Sequence, residues 1–210
     1  MDVQSLKGKR ALVCGSTQGI GRAAALELAS RGAAVTLFAR DPIALERVRA
    51  ELPGTGHTVR AADFGDNEAV RQTAADEVRD GGVIHVLVNN TGGPPAGPIV
   101  DAPPDAFLAA FRAHLINNQI LAQAVIPGMK EVGYGRIVNI VSTSVREPIA
   151  GLGVSNTIRA AVAGWAKTLS GELARFGITV NNVLPGFTKT SRLDSIIAAR
   201  PKAAGRATDD

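Results

Sequence analysis

Cysteine is nearly absent from this 210-residue chain: Cys14 is the only one, so no internal disulfide framework is available and a reducing compartment is expected. Aromatic residues make up 4%, with a single tyrosine, Tyr134, and a single tryptophan, Trp165. Basic residues are scattered singly among acids, as in RDPIALERVRAEL, and no Lys/Arg block is interleaved with aromatics. A formal charge of +4 spread in this way lacks the clustered basic face of a nucleic-acid binder. No apolar run approaches the roughly 18 residues that span a bilayer. The polar opening MDVQSLKGKR also lacks the apolar core of a signal peptide. A cytoplasmic protein is expected, with no membrane or nucleic-acid partner and no metal site.

What is present is a globular balance of 45% hydrophobic and 20% charged residues, enough for one domain over residues 1–210. Apolar β-rich runs alternate with helical patterns, and no internal repeat is visible. RALVCG (10–15) reads as a buried strand, GIGRAAALELASRG (19–32) as a helix ended by Gly32, and AVTLFA (34–39) as a second strand. Asp41 and Pro42 give a strong helix start, as N-cap and first helical residue. HTVRAAD (57–63) alternates as a third strand, and Asp66 caps the helix that follows. VIHVLVNN (83–90) is a fourth strand of the kind buried on both faces. Five of the eleven prolines then fall between 94 and 104, a stiff loop before a long helix at 105–130. GRIVNIVS (135–142), a long helix at 155–176 and ITVNNVLPG (178–186) complete the alternation. The fold class expected is α/β: one doubly wound, Rossmann-type parallel sheet with helices on both faces.

The first strand-to-helix turn is Gly15-Ser16-Thr17-Gln18-Gly19-Ile20-Gly21. Glycines at that place let the backbone approach a pyrophosphate, which the next helix N-terminus stabilises. The alternative is a glycine-rich tight turn with no ligand. At the end of the second strand an acid suits a ribose hydroxyl and an arginine a 2′-phosphate. With Asp41 committed to capping, Arg40 remains, so NADP(H) is expected in preference to NAD(H).

These residues, with several downstream, resemble the short-chain dehydrogenase/reductase family, especially its 3-oxoacyl-carrier-protein-reductase-like members, over residues 7 to about 200. LVCGSTQGIGRAAALELASRGA resembles the family's cofactor loop, and AADFGD places Asp63 and Phe64 near the adenine. VNNTGG resembles the Asn-Asn-Ala-Gly motif and brings Asn90, Thr91 and Gly92 to the cofactor, with Thr91 in place of alanine. GRIVNIVSTS puts Ser142 on the catalytic serine. ITVNNVLPGFTKT puts Pro185, Gly186, Thr188 and Thr190 beside the nicotinamide amide. The family continues with a lid, a seventh strand and a further helix; here the C-terminal strand and lid are expected to be missing, since the chain ends at ARPKAAGRATDD.

The resemblance breaks at the catalytic set, which in the family couples asparagine, serine, tyrosine and lysine. Thirteen residues after Ser142 stands Ser155 at the tyrosine position, and Arg159 follows at the lysine position. Thirteen before Pro127 stands His114 at the asparagine position. The resemblance thus implies Ser142, Ser155, Arg159 and His114 as the catalytic candidates, with Arg159 also a cofactor ligand through the nicotinamide ribose. Tyr134 is expected at the opposite end of the sheet and unable to substitute. One expected function is an NADP(H)-dependent reductase of a carbonyl, a 3-oxoacyl thioester or other small ketone, with an atypical catalytic set. The alternative is an NADP(H)-binding pseudoenzyme, a sensor or subunit without turnover. A hydrolase built on Ser155 is disfavoured, because GVSNT lacks the second glycine of a nucleophile elbow. His57 and His85 read as structural, one starting a strand and one inside it. A homo-oligomer is expected through the helices at 105–130 and 155–176, using Ala160, Ala163, Trp165 and Ala166.

Overall fold

A computed structural model of the chain describes residues 6–190 and 193. Six strands form one sheet: β1 (Arg10–Cys14), β2 (Ala34–Ala39), β3 (Thr58–Ala61), β4 (Val86–Asn89), β5 (Gly135–Ile140) and β6 (Ile178–Val183). All pair in parallel, in the order β3-β2-β1-β4-β5-β6. The order reverses between β1 and β4, which opens a crevice beyond the carboxyl ends of the strands, where such sheets take ligands.

The helices are α1 (Gly19–Ser30), α2 (Pro42–Glu51), α3 (Asn67–Gly81), α4 (Pro104–Phe111), α5 (Asn117–Glu131) and α6 (Gly153–Leu173). Strand residues alternate between two cores. Ala11, Val13, Val35, Leu37, Val86 and Val88 pack with α1 and α2. Leu12, Leu87, Ile137 and Val180, a row in register across four strands, pack with α3, α5 and α6. Both faces are covered, which is why these strands read as continuous apolar runs.

Local signals set the helix starts. Asp41 accepts hydrogen bonds from the Ile43 and Ala44 amides, and Asp66 from those of Glu68 and Ala69, so both expected caps are in place. Gly32 takes φ +89°, beyond the α1 terminus.

Other expectations are corrected. The fourth strand is shorter than 83–90, and His85 precedes it rather than lying inside. Its Nδ1 accepts from the Arg10 amide, as His57 Nδ1 accepts from that of Val35. The helix expected at 105–130 is two helices joined by a π-turn at Arg112–Ile116. The wider turn redirects carbonyls that side chains then satisfy: Asn67 Nδ2 donates to Arg112 O and Asn117 Nδ2 to Ala113 O. α6 starts two residues early and ends at Leu173, followed by a 3₁₀ turn at Ala174–Phe176. Ala166 is core and Trp165 packs against it while donating to Gln119 Oε1, so these two are spent inside the subunit. The expectations about the lid and seventh strand fall, apart from Leu193, outside the described residues.

Candidate active site

A cavity of about 540 Å³ runs over the carboxyl ends of the strands. Its outer half begins at the β1–α1 loop. Gly15 and Gly19 have φ of +57° and +53°, a left-handed conformation that glycine adopts without steric penalty. A Cβ on Gly21 would lie 2.1 Å from Gly15 O, so the loop folds onto the first turn of α1 only with glycine there. Asn90, just beyond β4, holds the loop from below, its Nδ2 donating to Cys14 O and Gly15 O at 3.3 and 3.2 Å. Thr17, Gln18 and Ile20 face the cavity with Gly15 and Gly19. Gly21 lies beneath, and buried Ser16 is spent on the fold, its Oγ accepting from the Phe38 amide.

Arg40 and Asp63, at the ends of β2 and β3, line the same half with Phe64. Asp63 Oδ1 is tied to the Gly65 amide at 2.8 Å, which fixes the turn after β3. Cys14, directly under the loop, is buried, and desolvation pushes its thiol far above the ordinary range.

The inner half is built by β4, β5 and α6. Thr91 and Gly92 enter from the β4 end, and Pro185, Gly186, Thr188 and Thr190 from the segment after β6. Ser142 follows β5 and accepts a hydrogen bond from the Ser144 amide at 3.1 Å. Ser155 is buried on the first turn of α6, and Arg159 lies one turn further along the same face. Both line the cavity, and Arg159 Nη1 donates to Ile140 O at 2.6 Å. Under this floor three amides stand in register: Asn89 Nδ2 donates to Asn139 Oδ1, and Asn139 Nδ2 to Asn182 Oδ1.

His114 does not line the main cavity. It is buried in the π-turn and borders a separate space of about 10 Å³, shared with Asn89, Asn118 and Arg159 among others. Tyr134 is at the opposite end of the sheet, just before β5, between Lys9 and Arg136 and beside His85. The sequence reading missed Ile149, Leu152 and Phe187 as wall residues. It also missed the strap that positions the first two, a parallel bridge between Gly97 and Leu152. No periodic signal marks such a contact between two loops. Among the described residues no cluster of three metal-ligating side chains occurs, and no helix is long and apolar enough to cross a membrane.

A doubly wound sheet with a glycine-loop cleft at its switch point, and hydroxyls beside a cation at the inner end, defines a Rossmann-type dinucleotide-dependent oxidoreductase. Comparison with known proteins narrows the class. A short chain dehydrogenase profile matches residues 9–201. The granaticin polyketide synthase putative ketoacyl reductase 1 of Streptomyces violaceoruber is 35% identical over 190 residues, covering 89% of this chain and 70% of that protein. The 3-oxoacyl-[acyl-carrier-protein] reductase FabG of Haemophilus influenzae is 34% identical over 185 residues, covering 88% and 76%. The L-sorbose reductase of Gluconobacter frateurii, solved with NADPH and L-sorbose, superposes with a TM-score of 0.86 at 29% identity, covering 90% and 73%. The chain belongs to the short-chain dehydrogenase/reductase family, whose enzymes are NAD(P)-dependent.

Proposed function

We propose that the protein is an NADP(H)-dependent reductase of a carbonyl compound with an altered proton-handling set. The observation that carries this is the single cavity joining the glycine loop to Ser142, Ser155 and Arg159. The fit to a dinucleotide rests on the cradle itself: Gly15 and Gly21 have no room for a Cβ against Asn90 and the loop's own carbonyl, which lets the loop close on the first turn of α1, and a Cβ on Gly19 would reach across the cavity to 3.2 Å from Thr190 Cγ2. Gly15, Thr17, Gln18, Gly19 and Ile20 would hold the pyrophosphate, and Arg40 the 2′-phosphate. Asp63 and Phe64 would meet the adenine, while Ser16 and Gly21 support the loop from behind. Asn90, Thr91, Gly92 and Arg159 would border the nicotinamide ribose, with Pro185, Gly186, Thr188 and Thr190 at the amide. When bound, the reduced nicotinamide supplies a hydride. Ser142 would orient and polarise the carbonyl oxygen. Relatives named as ketoacyl reductases support a 3-oxoacyl thioester or a smaller ketone as the substrate class. A homo-oligomer formed through α5 and α6 is part of this reading, with exposed Ala160 and Gly164 on the outer side of α6.

The test is a fluorescence titration with NADPH and NADH. Saturable binding with NADPH the tighter ligand is expected; no binding of either would end the proposal. A second reading, a cofactor-binding sensor or subunit without turnover, is favoured by one observation: Tyr134 stands at the far end of the strands while Ser155 lines the cavity. NADPH binding without oxidation across a broad carbonyl panel would select it.

A further inference from the structure

The chemistry lining the inner half of the cavity restricts the substrate further than the word carbonyl does. Among the described residues that line it, the titratable side chains are Arg40, Asp63 and Arg159. Arg40 and Asp63 belong to the outer half, at the ends of β2 and β3. The inner half therefore offers a guanidinium, the hydroxyls of Ser142 and Ser155, and those of Thr91, Thr188 and Thr190. Ser142 Oγ already accepts from the Ser144 amide, which leaves its own O–H to donate into the cavity. Ser155 lies one helical turn from Arg159, so its hydroxyl and the guanidinium share one wall.

This is a good place for negative charge on oxygen and a poor source of a proton. Fixed donors aimed at developing charge give the largest electrostatic stabilisation. A general acid, in contrast, works best with a pKa near the operating pH. A serine hydroxyl lies far above that range, and an arginine stays protonated throughout. His114, buried in the π-turn, borders the small cavity and not the main one.

We infer that the substrate is a conjugated dicarbonyl of the quinone type, whose reduction leaves charge on a delocalised, weakly basic oxygen. An isolated ketone, whose alkoxide must be protonated as it forms, is the wrong match. The inference rests on the reductase reading and deepens it. In the reaction the reduced nicotinamide gives up one hydride, a proton with two electrons, and is oxidised. The hydride and its electron pair form the O–H bond at one quinone oxygen, and the π pair this displaces passes through the ring to the other oxygen, as the negative charge of a hydroquinone monoanion held by Arg159, Ser142 and Ser155. Water supplies the second proton after release.

Two measurements test this. In the first, 4-nitrophenol is titrated spectroscopically in the presence of protein saturated with oxidised cofactor. Its pKa is expected to fall by about one unit on binding, the mark of a roughly tenfold tighter hold on the anion than on the neutral phenol. Arg159→Gln should abolish the fall and Ser142→Ala should reduce it. Ser142→Ala serves as the second variant should Arg159→Gln fail to fold or to hold the cofactor. In the second, NADPH oxidation is compared with 1,4-naphthoquinone and with 2-decalone, a saturated ketone of similar size. General acids contribute ~10²- to 10⁴-fold, so the quinone is expected to lead in kcat/KM by about 100-fold or more. An unshifted or raised phenol pKa, or turnover of decalone at the quinone's rate, overturns the inference and leaves the reductase reading standing. NADPH binding with turnover of neither compound also overturns it, in favour of the sensor. Failure to bind NADPH removes the reductase reading itself.

Discussion

Glu77 supplies the sharpest stability prediction. Its carboxylate, 2% exposed under α3, is shared by three strands. Oε1 accepts from Arg10 Nη2 at 2.5 Å and from Thr36 Oγ1 at 2.6 Å, and Oε2 from Arg60 Nε at 2.8 Å. Thr36, having given its proton to Glu77, accepts in turn from Thr58. Glu77→Gln keeps the volume and removes the charge that two guanidinium groups face. Breaking a buried pair costs about 3–5 kcal/mol. The Arg10 and Arg60 side chains are 22% and 29% exposed and find some water, which points to the lower end. A loss of about 3 kcal/mol is a large part of a domain stability of roughly 5–15 kcal/mol, and it lowers Tm by about 6–12 °C. Urea unfolding followed by far-UV circular dichroism measures it. Gly81→Ala provides the internal control. Its Cβ would fall 2.0 Å from Arg10 Nη2, so the guanidinium must leave Glu77 for the variant to fold. The two substitutions remove the same contact, and the double variant should lose less than their sum. Strict additivity, or a loss below about 1 kcal/mol in Glu77→Gln, would refute the reasoning.

Arg40→Asp should weaken NADPH binding far more than NADH binding, measured by the same fluorescence titration; equal losses would remove Arg40 from the 2′-phosphate. His85 has its pKa lowered by burial first and then by Lys9 and Arg10. The folded protein therefore takes up this proton at a lower pH than the unfolded chain, whose histidine titrates at about pH 6.5, so stability present above that pH falls as the solution is acidified. Urea midpoints of His85→Gln should show a shallower acid slope than the parent, and an identical slope would count against this origin. The Cys14 thiol, buried and with its pKa raised by desolvation, should resist iodoacetamide in the native protein and react on unfolding, followed by mass spectrometry.

The parts legible in the sequence are those fixed by neighbours along the chain. Asp41 and Asp66 cap helices two or three residues away, and Gly15, Gly19 and Gly21 shape a loop within itself. The π-turn was not legible, because AFRAHLINNQ keeps a helical pattern throughout and the group that accommodates its widened turn is Asn67, 45 residues from Arg112. Ser16 and Thr17 are alike in sequence. Only the approach of β2 sends Ser16 to the Phe38 amide and leaves Thr17 in the cavity. His114 was read on the helix before β5, and the turn that buries it away from the main cavity is a tertiary feature.

The two halves of the site rest on different supports, and that explains how one can change while the other stays. The glycine loop is clamped by backbone and by Asn90, so a side chain at Gly15 or Gly21 meets a wall: a Cβ on Gly15 would lie 2.6 Å from Asn90 Nδ2. Ser155 and Arg159 sit on a helix whose packing is carried by other residues, among them Val154, Ile158, Val162 and Ala166. Their side chains face the cavity and the end of β5, so exchange at these two positions leaves the core of α6 intact. The floor beneath them is fixed independently by the Asn89–Asn139–Asn182 row, which aligns the carboxyl ends of β4, β5 and β6. A strong prediction follows for Ser155→Tyr combined with Arg159→Lys. The pair should still fold, because the ring can enter the cavity that buried Ser155 lines, with a cost no greater than the about 1–3 kcal/mol of a small-to-large change at a buried position. It should also gain activity on isolated ketones, because a phenol beside an ammonium supplies a proton donor that the described residues of the inner half lack. Urea unfolding and NADPH oxidation with 2-decalone report the two effects separately. A variant that unfolds would show that the altered pair carries the packing of α6. A folded variant with no gain on the ketone would show that something other than the proton donor limits the reaction.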